Sequence, residues 1–160
     1  MGRELRKEVV VAAPVGEVWR AWTTSEGVVA FFAPEARIEP RVGGAYELYF
    51  MTDAPAGSRG SEGCTVLAIE PERRLAVSWN FPPSIPAIRD ERTRVEIELE
   101  PVPGAGTRVR MLQTEWREGE DWDLGYAYFD RAWGLVMARL ERRFELGPID
   151  WSDPWVPDGA

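Results

Sequence analysis

At 160 residues, 44% hydrophobic and 29% charged, the chain has the composition of one ordinary globular domain that buries about two-thirds of its unfolded surface without a covalent staple. A net charge of −8 repels a phosphate backbone, and the basic pairs Arg73-Arg74 and Arg142-Arg143 are too short to reverse that, so nucleic acid is excluded as a partner. Cys64 is the single cysteine and histidine is absent, which rules out an internal disulfide, a multi-cysteine metal site and any Ser-His or Cys-His nucleophile.

The N-terminus runs directly into a strand-like segment at residues 4–12, carried by the β-branched run Val9-Val10-Val11. No apolar stretch reaches the roughly 18 residues of a membrane helix, so a cytoplasmic address without a membrane span is expected. Pro14 suits the first turn of a helix, and Val15, Val18, Trp19 and Trp22 recur at helical spacing to form one inward stripe. The hydroxyls of Thr23-Thr24-Ser25 can cap a second short helix through Phe31-Phe32, which Pro34 stops.

From residue 35 to residue 115 the pattern changes to period two, punctuated by Gly and Pro, and six strands are expected. Thr93, Val95, Ile97 and Leu99 alternate with Arg94, Glu96, Glu98 and Glu100. Across the next turn Val109 and Met111 take the dry face and Arg108 and Arg110 the wet one. A simple hairpin register would set Glu98 against Arg108 and Glu96 against Arg110. Two further alternating sets, Tyr46, Leu48, Phe50 and Leu75, Val77, Trp79, Phe81, give the concave face an aromatic lining.

The longest helical pattern follows Gly119: Trp122, Tyr126, Phe129, Trp133, Val136, Met137, Leu140 and Phe144 share one face, and Gly147-Pro148 ends it. Residues 1–146 read as one domain, and residues 147–160 as a tail with Trp151 and Trp155 among prolines and aspartates. That tail either packs back or serves as a homodimer contact. The order of elements predicts an α+β architecture: a curved antiparallel sheet wrapped around a long C-terminal helix, with two short helices after the first strand.

Four segments in this order carry a resemblance: Ala13-Pro14-Val15-Gly16-Glu17-Val18-Trp19-Arg20-Ala21-Trp22-Thr23-Thr24, Val42-Gly43-Gly44-Ala45-Tyr46, Ile69-Glu70-Pro71-Glu72-Arg73-Arg74-Leu75-Ala76-Val77-Ser78-Trp79 and Gly106-Thr107-Arg108-Val109. Together they resemble the SRPBCC or START-like superfamily, and within it the branch of homologues of the activator of the heat-shock protein 90 ATPase. The resemblance implies the helix-grip fold. It implies no single activity, because carriers, cyclases, oxygenase subunits and chaperone regulators share that scaffold. Members often carry a histidine where this chain has Gln113, and a glycine before the next aromatic where it has Glu115. Histidine-based catalysis is therefore not expected.

The principal functional expectation is a small hydrophobic or aromatic molecule held between the sheet and the long helix, without metal or covalent cofactor. The residues expected to line that space are Trp22, Phe32, Tyr46, Trp79, Phe81, Trp122, Tyr126, Phe129 and Trp133, with Gln113 and Glu115 as polar anchors on the inward face of the last strand. The plain counter-reading is that these aromatics fill a core. The run Phe81-Pro82-Pro83-Ser84-Ile85-Pro86 is either a lid or a connecting loop, and Cys64 an inert small apolar residue. Two other classes compete: a cyclase- or hydrolase-like enzyme using Glu115 with Asp121 or Asp123 as a buried carboxylate, and a protein-interaction module in chaperone regulation or the stress response.

Overall fold

In the computed structural model, which describes residues 2–158, the chain begins with β1 (Leu5–Val11) and turns at Pro14 into the short helices α1 (Val15–Thr23) and α2 (Ser25–Val29). The Thr24 hydroxyl accepts the Gly27 amide at 2.9 Å and so starts α2, which ends two residues before the Phe31-Phe32 pair it was expected to include. Six strands follow: β2 (Glu35–Ile38), β3 (Tyr46–Tyr49), β4 (Val66–Glu70), β5 (Arg74–Trp79), β6 (Thr93–Val102) and β7 (Gly106–Thr114). The long helix α3 (Glu120–Leu146) completes the α+β helix-grip architecture.

Five strands form one antiparallel sheet in the order β1-β7-β6-β5-β4, and β2 pairs with β3 as a separate ribbon. Backbone hydrogen bonds join that ribbon to the segment entering β4, through the Tyr46 amide to the Cys64 carbonyl at 2.8 Å and the Gly43 amide to the Val66 carbonyl at 2.9 Å. A bulge between Val66 and Ala68 bends β4 where the ribbon meets the sheet.

The period-two pattern sorts the side chains as expected. Thr93, Val95, Ile97 and Leu99 on β6 and Thr107, Val109, Met111 and Gln113 on β7 are buried, and their alternates face outward. The register differs from the simple hairpin. Glu98 stands opposite Arg110 and Glu100 opposite Arg108, because β6 continues through Pro101 to Val102 and shifts the turn by two residues. The ion pairs form accordingly, Arg108 to Glu100 at 2.5 Å and Arg110 to Glu8 of β1 at 2.9 Å.

Helix α3, about 40 Å long at 1.5 Å per residue, lies asymmetrically across the concave face. One flank is tied to β1: Lys7 pairs with Asp130 at 2.6 Å, Arg3 pairs with Asp123 at 2.7 Å, and the Tyr126 hydroxyl donates to the Glu4 carbonyl at 2.8 Å. The other flank, carrying Tyr128, Ala132 and Leu135, faces Phe50, just past the end of β3, across a gap. Among the described residues no helix is long and apolar enough to cross a membrane.

The tail packs back onto the domain. The Ile149 amide donates to the Ala30 carbonyl at 2.9 Å, and the Trp151 indole N–H donates to the Val29 carbonyl at 2.6 Å. Arg142 sits 4.7 Å over the Trp155 ring. A half-buried indole with a hydrogen bond to backbone contributes stability, so Trp151→Ala is expected to lower the unfolding free energy by about 2 kcal/mol. Urea denaturation measures this, and a loss below about 0.5 kcal/mol would mean that the tail contributes nothing to the fold.

Candidate functional site

Between sheet and helix, polar groups are few, and most are paired. The Trp133 indole N–H on α3 donates to Gln113 Oε1 at 3.0 Å. The Gln113 amide donates to the Thr93 hydroxyl at 2.9 Å, and that hydroxyl donates to the Trp79 carbonyl at 3.2 Å. This relay spans α3, β7, β6 and β5 inside the core, where each unmet group would cost about 1–3 kcal/mol. Gln113 is therefore on the inward face as expected, but its amide is occupied by protein partners.

Two aromatic clusters fill most of the concavity. At the N-terminal end of α3, Phe81 meets Trp122 edge-to-face at 4.9 Å, Phe129 at 5.6 Å and Trp116 at 5.9 Å. Gly125 makes this approach possible, since a Cβ there would stand 2.5 Å from the Phe81 ring. Under α2, Trp22 meets Phe31 at 5.0 Å and Phe32 at 5.8 Å. The Trp22 indole nitrogen is buried and has no hydrogen-bond partner among the described residues. Nearby, Tyr46 is buried with its hydroxyl on the Trp22 carbonyl at 2.7 Å, and burial pushes that phenol far above its ordinary pKa.

The space left over lies on the open flank of α3. It is an apolar cleft of about 200 Å³ walled by Phe32, Phe50, Trp79, Phe129, Trp133 and Val136, with Tyr128, Ala132, Leu135 and Arg139 around its mouth. A smaller annex of about 110 Å³ shares Phe50, Trp79, Tyr128 and Phe129, and continues under Pro82 and Pro83 toward Asn80, Arg59 and Arg89. Phe50 and Tyr128 are about 40% exposed, unusual for rings so close to a core, and they form the lip. The loop over the annex is held by Arg89, which donates to the Phe81 carbonyl and, at 2.7 Å, to the Gly57 carbonyl. Glu62 fixes the facing loop by accepting the Gly57, Gly60 and Arg59 amides at 2.5, 2.7 and 3.1 Å, and those amides hold its carboxyl below the ordinary range despite partial burial. A larger hollow of about 850 Å³ between α1, α2 and the end of α3 is a polar surface groove lined by Glu17, Arg20, Glu26 and Arg143.

Of the residues expected to line a ligand space, Phe32, Trp79, Phe129 and Trp133 wall the cleft and Phe81 borders the annex. Trp22, Tyr46 and Trp122 lie in the packed core, and Tyr126 is on the β1 flank with Arg3 4.7 Å over its ring. Phe50 and Tyr128, which line both the cleft and the annex, and Trp116, which packs in the core beside them, were not singled out from sequence as site residues. Phe50 ends an alternating set that was recognised, Tyr128 falls off the 3.6-residue stripe, and Trp116 follows the strand end, where periodicity stops. The Cys64 thiol is buried and pushed up to about 11, chiefly by burial, as suits an inert residue.

A family model described as "Activator of Hsp90 ATPase homolog 1-like protein" matches residues 12–145. The chain belongs to this family. Among solved structures, protein MLL2253 from Mesorhizobium loti is 28% identical, with 89% of this chain and 97% of that one covered at a TM-score of 0.71. The Aha1 dimer from Colwellia psychrerythraea is 20% identical over 91% and 98% of the two chains with a TM-score of 0.68, and CalU16 from Micromonospora echinospora is 22% identical over 93% and 78% with a TM-score of 0.65. These last two likenesses are of fold alone. No curated protein sequence matches the chain.

Family membership makes the end of β7 informative. Glu115 was expected on the inward face two residues beyond Gln113, but β7 ends at Thr114 and Glu115 adopts a left-handed backbone with φ 69°, which turns its side chain to solvent. The twist at this point swings Trp116 into the core, where its indole donates to the Gln113 carbonyl at 3.0 Å. A glycine, which resembling sequences often carry here, takes that conformation without strain. Asp123 is also exposed, Asp121 is half-buried in the first turn of α3, and among the described residues no carboxylate lines the cleft or its annex.

Two outcomes follow for these neighbouring positions. Gln113→Leu strands the Trp133 N–H in the core and is expected to destabilise by about 2–3 kcal/mol, read by urea denaturation. Glu115→Gly relieves the left-handed strain and is expected to stabilise by about 0.5–1 kcal/mol after the entropy of the added glycine is subtracted. A melting temperature that falls in Glu115→Gly would contradict the assignment of strain to this residue.

Proposed function

We propose that this chain binds a small, flat hydrophobic or aromatic molecule in the cleft on the open flank of α3, and acts by binding rather than by chemistry on the bound molecule. The observation that carries the reading is the 200 Å³ space walled by six apolar side chains and opening between two half-exposed rings, Phe50 and Tyr128. An engineered cavity of about 150 Å³ with apolar walls accepts benzene, so this volume suits one ring or two fused rings. Ring walls favour a flat guest, because edge-to-face and offset contacts add about 0.5–1.5 kcal/mol per aromatic pair beyond area burial. The walls come from β5, α3 and the residues just past α2 and β3, and the Gln113 relay and the aromatic clusters hold most of them in place, so little ordering cost accompanies binding.

Filling the cleft is the direct test. Ala132 lies at its mouth on α3, and Ala132→Phe places a ring where the guest would sit. With 2-naphthol as probe, followed by amide chemical shifts, the wild-type protein is expected to show saturable shifts at Phe50, Trp79, Tyr128 and Trp133. Ala132→Phe should bind at least about tenfold more weakly while keeping its melting temperature. Equal affinity in both proteins, or shifts located elsewhere, would move the ligand out of this cleft.

A further inference from the structure

The cleft has a charge character opposite to that of the whole molecule. The chain carries 27 acidic residues and a net charge of −8, yet neither the cleft nor its annex is lined by a carboxylate. Their charged lining is three arginines, Arg139 in the cleft and Arg59 and Arg89 in the annex. Arg89 is committed to two backbone carbonyls and to Glu62 at 3.3 Å. Among the described residues neither the Arg59 nor the Arg139 guanidinium has an Asp or Glu oxygen within 4.0 Å, although the Arg59 backbone amide donates to Glu62 at 3.1 Å.

Both are nevertheless fixed in direction. Arg139 Nε donates to the Trp155 carbonyl of the folded-back tail at 2.9 Å, with the Trp151 ring 5.4 Å from its guanidinium carbon, and Arg59 Nε donates to the Ala54 carbonyl at 2.8 Å. Anchoring through Nε leaves the two terminal nitrogens, the edge that meets a carboxylate through paired hydrogen bonds, without a partner among the described residues. Partial burial of Arg139 lowers its pKa and no neighbouring acid offsets this, although an arginine stays charged at neutral pH. A partly desolvated cation without a counter-ion is costly, and an arriving anion recovers that cost.

We propose that the ligand of this cleft is an aromatic anion, a one- or two-ring molecule whose carboxylate or sulfonate is received by the terminal nitrogens of Arg139 while its rings lie between Trp79, Phe129 and Tyr128. This rests on the binding reading above and narrows it to a chemical class. It also gives the tail a task, since the Trp155 carbonyl and Trp151 ring set the direction of Arg139.

The experiment compares 2-naphthoate with 2-naphthol, which have nearly the same ring volume and differ in charge at neutral pH, in the full chain at 50 mM and 300 mM NaCl. Wild-type protein is expected to bind naphthoate about tenfold or more tightly than naphthol, as charge-assisted hydrogen bonds are worth, with the margin shrinking at the higher salt. In Arg139→Gln the two probes should bind within about twofold of each other. Equal affinities in wild-type protein, or an undiminished margin in Arg139→Gln, overturn the assignment of the anion to Arg139 and leave the apolar cleft standing. If neither probe binds, both readings fall. Should Arg139→Gln not fold, the wild-type ratio and its salt dependence decide alone.

Discussion

The arrangement depends on one buried hydrogen-bonded relay, from the Trp133 indole through the Gln113 amide and the Thr93 hydroxyl to the Trp79 carbonyl. Apolar packing alone would hold α3 against the sheet without fixing its rotation, since a helix with many apolar side chains can roll with small loss of buried area. An amide placed fully inside the core removes that freedom, because any roll that separates Trp133 from Gln113 leaves both polar groups unmet. Rotation fixed in this way puts Trp133 and Phe129 opposite Trp79, and it sends Tyr128 and Ala132 to the flank away from β1. The position of the cleft is a consequence of where one glutamine bonds.

That also accounts for what was and was not legible in the sequence. Period-two alternation in β6 and β7 and the 3.6-residue stripe of α3 depend only on which residues face a core, and they predict the fold and its inward set correctly. The β6–β7 register depends on where a strand stops, and Pro101 does not stop β6 as its usual preference suggests, because β6 continues to Val102 before the chain turns. Glu115 illustrates the same limit: extrapolating alternation past Gln113 fails at a single left-handed residue that no periodicity reveals. Packing between aromatics is harder still. Trp22, Tyr46 and Trp122 were as plausible on the cleft wall as Phe32 or Trp79; what buries Trp122 is the depth to which Phe81 penetrates beside Gly125, a contact between residues 44 positions apart, while Trp22 packs against Phe31 and Phe32 and Tyr46 against Trp79.

Electrostatics divides along the same surface. The acids of β1 and β6 fall on the convex face by alternation, where Glu8, Glu96 and Glu100 meet Arg110, Arg94 and Arg108 in pairs of 2.5 to 3.0 Å. Exposed pairs of this kind contribute at most about 1 kcal/mol each, so they align strands more than they stabilise them. Their larger effect is on composition. By drawing carboxylates to the outer face, the pattern leaves the concave side free of them, and a strongly acidic chain acquires a neutral-to-cationic interior edge.

The tail belongs to this logic rather than standing apart from it. Ile149 and Trp151 close on the carbonyls of Ala30 and Val29, just past α2, where Phe31 and Phe32 then carry the packing to the cleft wall. A few residues on, the Trp155 carbonyl reaches Arg139 on α3. The tail thus bridges the two helices that flank the cleft and touches it at a single charged group. A tail that stabilised the fold by area alone would have no reason to end on a guanidinium; one that meets it through Nε restrains a flexible side chain while leaving its anion-binding edge unpaired. Ordering an arginine before its partner arrives shifts the entropy cost from binding to folding, where many other contacts share it.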